Sequence, residues 1–84
     1  MPPDAPLRAN EVLALKMLIR SHPKAVEIQP IASRLGISYA AAEKLINEME
    51  SMGMVDVLHG WYGPNSVILT KGGRDLCVDH GMDN

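Results

Sequence analysis

PIASRLGISYAAAEKLINEMESMG, residues 30 to 53, is the stretch whose reading decides the fold. Pro30 suits the first position of a helix, with Ile31, Ala32 and Leu35 on its inner side, and Gly36 supplies the left-handed residue that ends it. After a turn of about three residues a second helix opens at Ser38, a side-chain N-cap, and Ile37 just before it is placed to staple against Ala42. Ala42, Leu45, Ile46, Met49 and Met52 then hold one apolar stripe at helical spacing until Gly53. A two-turn helix depends on packing rather than propensity, so the pair needs a third partner.

Upstream, Val12, Leu15, Leu18 and Ile19 recur at helical spacing from an N-cap at Asn10 to about Ser21, ahead of His22 and Pro23. Val26, Glu27 and Ile28 alternate as a short strand does. Downstream, Val55 to Leu58 and Ser66 to Leu69 are short apolar-rich runs around His59 Gly60 Trp61 Tyr62 Gly63 Pro64 Asn65, which has the composition of a hairpin tip. Thr70 caps a last short helix from Lys71 to Val78, although Gly72 and Gly73 in its first turn weaken it by about 1 kcal/mol each relative to Ala. The predicted fold class is α+β: a three-helix winged helix-turn-helix with a two-stranded β-hairpin wing and a short C-terminal helix. The domain is expected over residues 10–78, between a flexible leader at 1–9 rich in proline and a loose tail at 79–84.

Length and composition bound the rest. Eighty-four residues make one small domain with room for a single core, and with no Phe that core must be aliphatic. A lone Cys77 excludes an internal disulfide framework, and the absence of a long apolar run or signal-peptide pattern leads us to expect a cytoplasmic protein that does not enter membranes. His22, His59 and His80 are far apart, Cys77 and His80 together are too few ligands for a zinc site, and no nucleophile, acid-base or phosphate-loop pattern is present. Neither enzyme activity nor a cofactor is expected.

The residues also carry a resemblance. Ile31 to Ser38 resembles the helix-turn of bacterial winged-helix regulators of the MarR type, and Leu69 Thr70 Lys71 Gly72 Gly73 Arg74 Asp75 Leu76 is similar to the segment that follows their wing. Ile37 to Glu50, followed by Gly53 and Val55, resembles the probe helix of the gamma domain of FtsK-type DNA translocases. The resemblance covers residues 10 to 70 and implies a DNA-binding domain that enters the major groove of double-stranded DNA with its third helix, as a small transcriptional regulator does. In the gamma domain the two positions after the tyrosine are typically Asn and Arg, where this chain has Ala40 and Ala41, and a basic wing position is matched by Ser66.

The candidate DNA-binding residues follow. At about 100° per residue, the side of the third helix opposite its stripe is centred on Ala40, Lys44, Asn47 and Ser51, with Ala41 and Glu48 on its flank. Lys44 suits a phosphate or guanine edge, Asn47 suits adenine, and the alanines suit thymine methyls. Tyr39, Ala40, Ala41, Lys44 and Asn47 are thus expected at the bases, and His59, Trp61 and Asn65 on the wing, with Arg34, Lys71 and Arg74, at the backbone. Of the two wing aromatics, one is expected to pack under the wing while the other is exposed to a groove wall, a base or a protein partner. A rival expectation is a protein-interaction module, with Trp61 and Tyr62 at the contact, that kept the fold and lost its DNA face.

Charge supports the rival at first sight, since the formal net charge is -2. Asp4, Asp79 and Asp83 lie outside residues 10 to 78, as does Arg8, leaving seven basic against seven acidic side chains within them. The difficulty is therefore local, at Glu43, Glu48 and Glu50 on the third helix.

Overall fold

The computed structural model describes residues 7–82. Its elements are α1 (Ala9–Ser21), β1 (Val26–Glu27), α2 (Ile28–Leu35), α3 (Tyr39–Ser51), β2 (Val55–Leu58), β3 (Ser66–Leu69) and α4 (Lys71–Asp79). The three helices and the hairpin take the expected order, and the Cα radius of gyration, 12.1 Å, is that of one small domain.

The ends of the elements show why they form. α1 starts ahead of the expected cap: Arg8 is the N-cap residue, and the carboxylate of Glu11 reaches back to accept the Arg8 N–H at 2.8 Å. That contact is one arm of a capping box and places an acid at the positive end of the helix, so Asn10 falls inside the first turn. α2 begins at Ile28, which leaves the expected strand to become the first, fully buried helical residue. Pro30 is consequently the third helical residue, where its missing N–H still costs no hydrogen bond. At the end of α2, Gly36 is left-handed (φ 69°, ψ 32°), Ile37 N–H bonds to Ala32 O at 3.1 Å and Gly36 N–H to Ser33 O at 3.3 Å. Those two bonds form the pattern that reverses a chain after a helix and set α3 about three residues on. Ser38 Oγ then accepts the Ala41 N–H at 3.1 Å, as its residue type predicts.

α3 stops by the same device, with Gly53 at φ 79° and Met54 N–H bonded to Met49 O. The apolar stripe ends with it. Ala42, Leu45, Ile46 and Met49 are buried, but Met52, expected on the stripe, is the C-cap residue and is 54% exposed.

The hairpin pairs β2 with β3 from Val55↔Leu69 to Leu58↔Ser66. It is also the larger part of a three-stranded antiparallel sheet of order β1-β3-β2, because Val26 pairs with Val67 on the other edge of β3. This places the base of the wing against the core through Val55, Val67 and Leu69. Ala14, Leu15 and Leu18 of α1, Ile28, Ile31 and Ala32 of α2, the α3 stripe, and Cys77 complete that core without an aromatic ring. Cys77 is fully buried, its Sγ 3.9 Å from Leu15 O.

Thr70 caps α4 by accepting the Gly73 N–H at 3.0 Å and also donates its hydroxyl to Gly53 O at 2.5 Å, tying the helix start to the end of α3. Gly73 has a packing reason absent from the sequence pattern: it is buried, and a Cβ there would collide with the carbonyl oxygen of Met54. Within the segment expected to trail, Met82 is buried in the core and its N–H bonds to Cys77 O. Leu7, in the expected leader, packs against the core, and residues 1–6 and 83–84 lie outside the described residues.

Candidate nucleic-acid interface

α3 is held by its buried stripe, so its opposite side is fixed as well. Ala40, Lys44, Asn47 and Ser51 all lie exposed there, with Ala41 beside them. Tyr39, the first residue of the helix, is also exposed.

The acids of α3 are arranged so that the outermost line is free of them. Glu48, on the Ala41 flank, forms an ion pair with Arg8 at 3.9 Å. Arg8 is largely and Glu48 partly in solvent, so the pair adds little stability, but it sets a cation beside the acid. Glu50 turns the other way and its carboxylate accepts the Val57 N–H at 3.4 Å, joining α3 to the wing. Glu43 is half-buried on that same side.

Arg8 and Asn10 belong to this surface although the sequence reading passed over them. With Ile37, Ala41, Lys44, Leu45 and Glu48 they line a shallow groove of about 250 Å³. Arg8 lies in the expected leader, and its pairing with Glu48 joins residues distant in sequence, so periodicity could not have found it.

The other candidate residues separate into three places. Lys71 and Arg74 are exposed on the first turn of α4, which the Thr70 to Gly53 bond sets against the end of α3, and Lys71 pairs with Asp75 at 3.9 Å. Arg34 lies exposed on α2. It lines a groove of about 350 Å³ between α1 and α2 with Leu13, Lys16, Met17, Arg20 and Ser21, none of them on α3. On the wing, His59 and Trp61 are exposed, whereas Asn65 is half-buried and its Oδ1 accepts the Gly60 N–H at 3.4 Å, closing the loop.

Neither wing aromatic packs under the hairpin. Trp61 is 93% exposed and Tyr62 102%, so the expectation that one would be sheltered is corrected, and Trp61 does not close the core edge. Among the described residues no three His, Cys, Asp or Glu side chains are grouped to hold a metal ion, and no helix is long and apolar enough to cross a membrane.

Comparison with solved structures places this architecture. A MarR family transcriptional regulator from Silicibacter pomeroyi superposes with a TM-score of 0.75 over 87% of this chain at 23% identity, and one from a Rhodococcus species with 0.76 over 92% at 21%. The chain has a MarR-like winged-helix fold. It spans 51% and 54% of the length of those two regulators. A candidate DNA-binding protein from Ralstonia eutropha, by contrast, is covered over 98% of its length, with a TM-score of 0.74 and 18% identity. No family model and no curated protein matches the chain.

Proposed function

We propose that this chain binds double-stranded DNA as a small transcriptional regulator, with α3 in the major groove and the wing alongside. The observation that carries the reading is the outer line of α3. Ala40, Lys44, Asn47 and Ser51 are exposed together on a helix presented by a complete helix-turn, while Glu48 and Glu50 are engaged by Arg8 and Val57 to either side. A helix of this width fits the major groove, where Lys44 takes a phosphate or guanine edge, Asn47 an adenine, and Ala40 and Ala41 thymine methyls. Lys71 and Arg74 on the first turn of α4, and Arg34 on α2, supply backbone contacts. The likeness of Ile37 to Glu50 to the FtsK gamma domain supports the same use of α3. On this reading the DNA-binding unit is residues 10–78 extended to 7–82, since Leu7 packs against the core, Arg8 caps α1 and Met82 is buried in the core; the chain works in the cytoplasm, and it is not an enzyme.

The exposed Trp61 and Tyr62 favour a second reading, an interaction module whose wing tip anchors a protein, because interface hot spots are rich in both residues. Duplex titration separates the two. Binding to mixed-sequence duplex at low salt is expected to be micromolar or tighter and to fall steeply with salt, and Lys44→Ala should weaken it by about fivefold to tenfold and lower the logarithmic salt slope by about 1. Binding no better than millimolar, unchanged by Lys44→Ala, contradicts the DNA reading.

A further inference from the structure

The basic side chains are unevenly spread. Of the eight Lys and Arg residues in the chain, Lys16, Arg20 and Arg34 line one groove, the cleft of about 350 Å³ between α1 and α2. No acidic side chain lines it. None of the three cations forms an ion pair among the described residues, whereas Arg8 and Lys71 both do. In a chain of net charge -2, three unneutralised cations around one concavity focus a field that attracts an anion.

The remaining lining narrows the kind of anion. Leu13 and Met17 lie one turn apart on α1 beside Lys16 and Arg20, so the groove has an apolar wall as well as a charged one, and Ser21 adds a hydroxyl. Arg20 and Arg34 stand in the last turns of α1 and α2. The carbonyl ends of those helices offset at most about half an elementary charge each, which leaves a surplus of about two. A phosphomonoester carries about -1.5 to -2 at pH 7, and its oxygens match guanidinium forks two at a time. A carboxylate supplies a single charge. Each phosphodiester of duplex DNA also supplies one, on a convex strand that leaves a concave apolar wall uncovered.

We propose that the groove between α1 and α2 binds a small phosphomonoester with an apolar body, its phosphate held by Lys16, Arg20 and Arg34 and its body against Leu13 and Met17. The volume is at the lower end of the range for small-molecule sites. No residue of α3 takes part, and Arg34 is the one residue shared with the proposed contacts to the DNA backbone.

Phenyl phosphate is the probe, followed by backbone amide NMR of the intact labelled chain. Saturable shifts are expected at Leu13, Met17, Arg20 and Arg34, with a dissociation constant below about 1 mM. Benzoate keeps the ring and loses a charge, and inorganic phosphate keeps the charge and loses the ring; each should bind at least about tenfold more weakly. The double variant Arg20→Gln, Arg34→Gln should lose at least about tenfold in affinity for phenyl phosphate, and Lys44→Ala should lose nothing. The substituted side chains are exposed, so the fold is retained, as circular dichroism would show. Absence of saturable shifts, equal binding of the three probes, or full affinity in the double variant overturns the proposal. So does a duplex without terminal phosphates that shifts Leu13 and Met17 as strongly as phenyl phosphate does, because the groove would then belong to the DNA-backbone surface.

Discussion

Gly73→Ala is expected to lower the thermal unfolding midpoint by more than about 10 °C, corresponding to roughly 3 kcal/mol in a domain of this size. An alanine methyl at this position would run into Met54 O, which already accepts the Thr70 N–H at 3.1 Å. The carbonyl cannot swing away cheaply, because Met54 N–H is fixed to Met49 O at the end of α3 and Thr70 caps α4. Relief requires moving α4 away from the start of β2, which opens the core around Cys77. Gly72→Ala provides the control. Its Cβ would meet Gly53 O at 3.3 Å, a contact that a shift of a few tenths of an ångström relieves, and alanine regains about 1 kcal/mol of helix propensity. A calorimetric scan of both variants should show a large loss for the first and a change of less than about 1 kcal/mol for the second; equal losses would contradict the packing of α4 described here.

Ile46→Ala is expected to cost about 4 kcal/mol in urea unfolding, at the upper end of large-to-small core changes. Ile46 is fully buried, in a core with no aromatic ring, between the helices and the sheet that fix α3. Its neighbour in sequence, Asn47, is exposed on the outer face. The variant should therefore lose stability but keep its DNA affinity per folded molecule, the reverse of Lys44→Ala. An unfolding free energy within about 1 kcal/mol of the parent's would mean that Ile46 does not carry the core.

Much of this architecture is legible in the sequence, for local reasons. Ser38, Gly36, Gly53 and Thr70 each act on backbone groups within a few residues, so residue type and spacing locate them, and the hairpin strands fall where Val55 to Leu58 and Ser66 to Leu69 predict. Features that depend on distant partners are not legible. The strand expected at Val26 is there, but its partner β3 lies some forty residues on and is not named by the sequence; Gly73, read as a weakness of α4, is required by Met54; only the shifted start of α1 is local, because Glu11 bonds the Arg8 N–H three residues back. The site divides in the same way. The outer face of α3 follows from helical periodicity, whereas the placement of Arg34 between α1 and α2, the part played by Arg8, and the exposure of both wing rings depend on how elements pack.

The local charge problem is eased by that packing for Glu48 and Glu50, while Glu43 stays half-buried on the Glu50 side. Glu48 and Glu50 flank the face on opposite sides and each has a partner within the chain, so Lys44 is the charged group on the outermost line. This leaves one cation among small side chains on the outermost line, which on the proposed reading suits a groove with methyl groups in it and not a dense phosphate clamp.

Backbone amide NMR of the labelled chain, recorded with increasing amounts of duplex DNA, tests this surface residue by residue. The largest shift changes are expected at Ala40, Ala41, Lys44 and Asn47, with smaller ones at Lys71 and Arg74, and little change at Leu13, Met17 and Arg20 in the groove between α1 and α2. Changes centred on that groove, or none along α3 at saturating DNA, would contradict the assignment of α3 as the DNA-contacting helix.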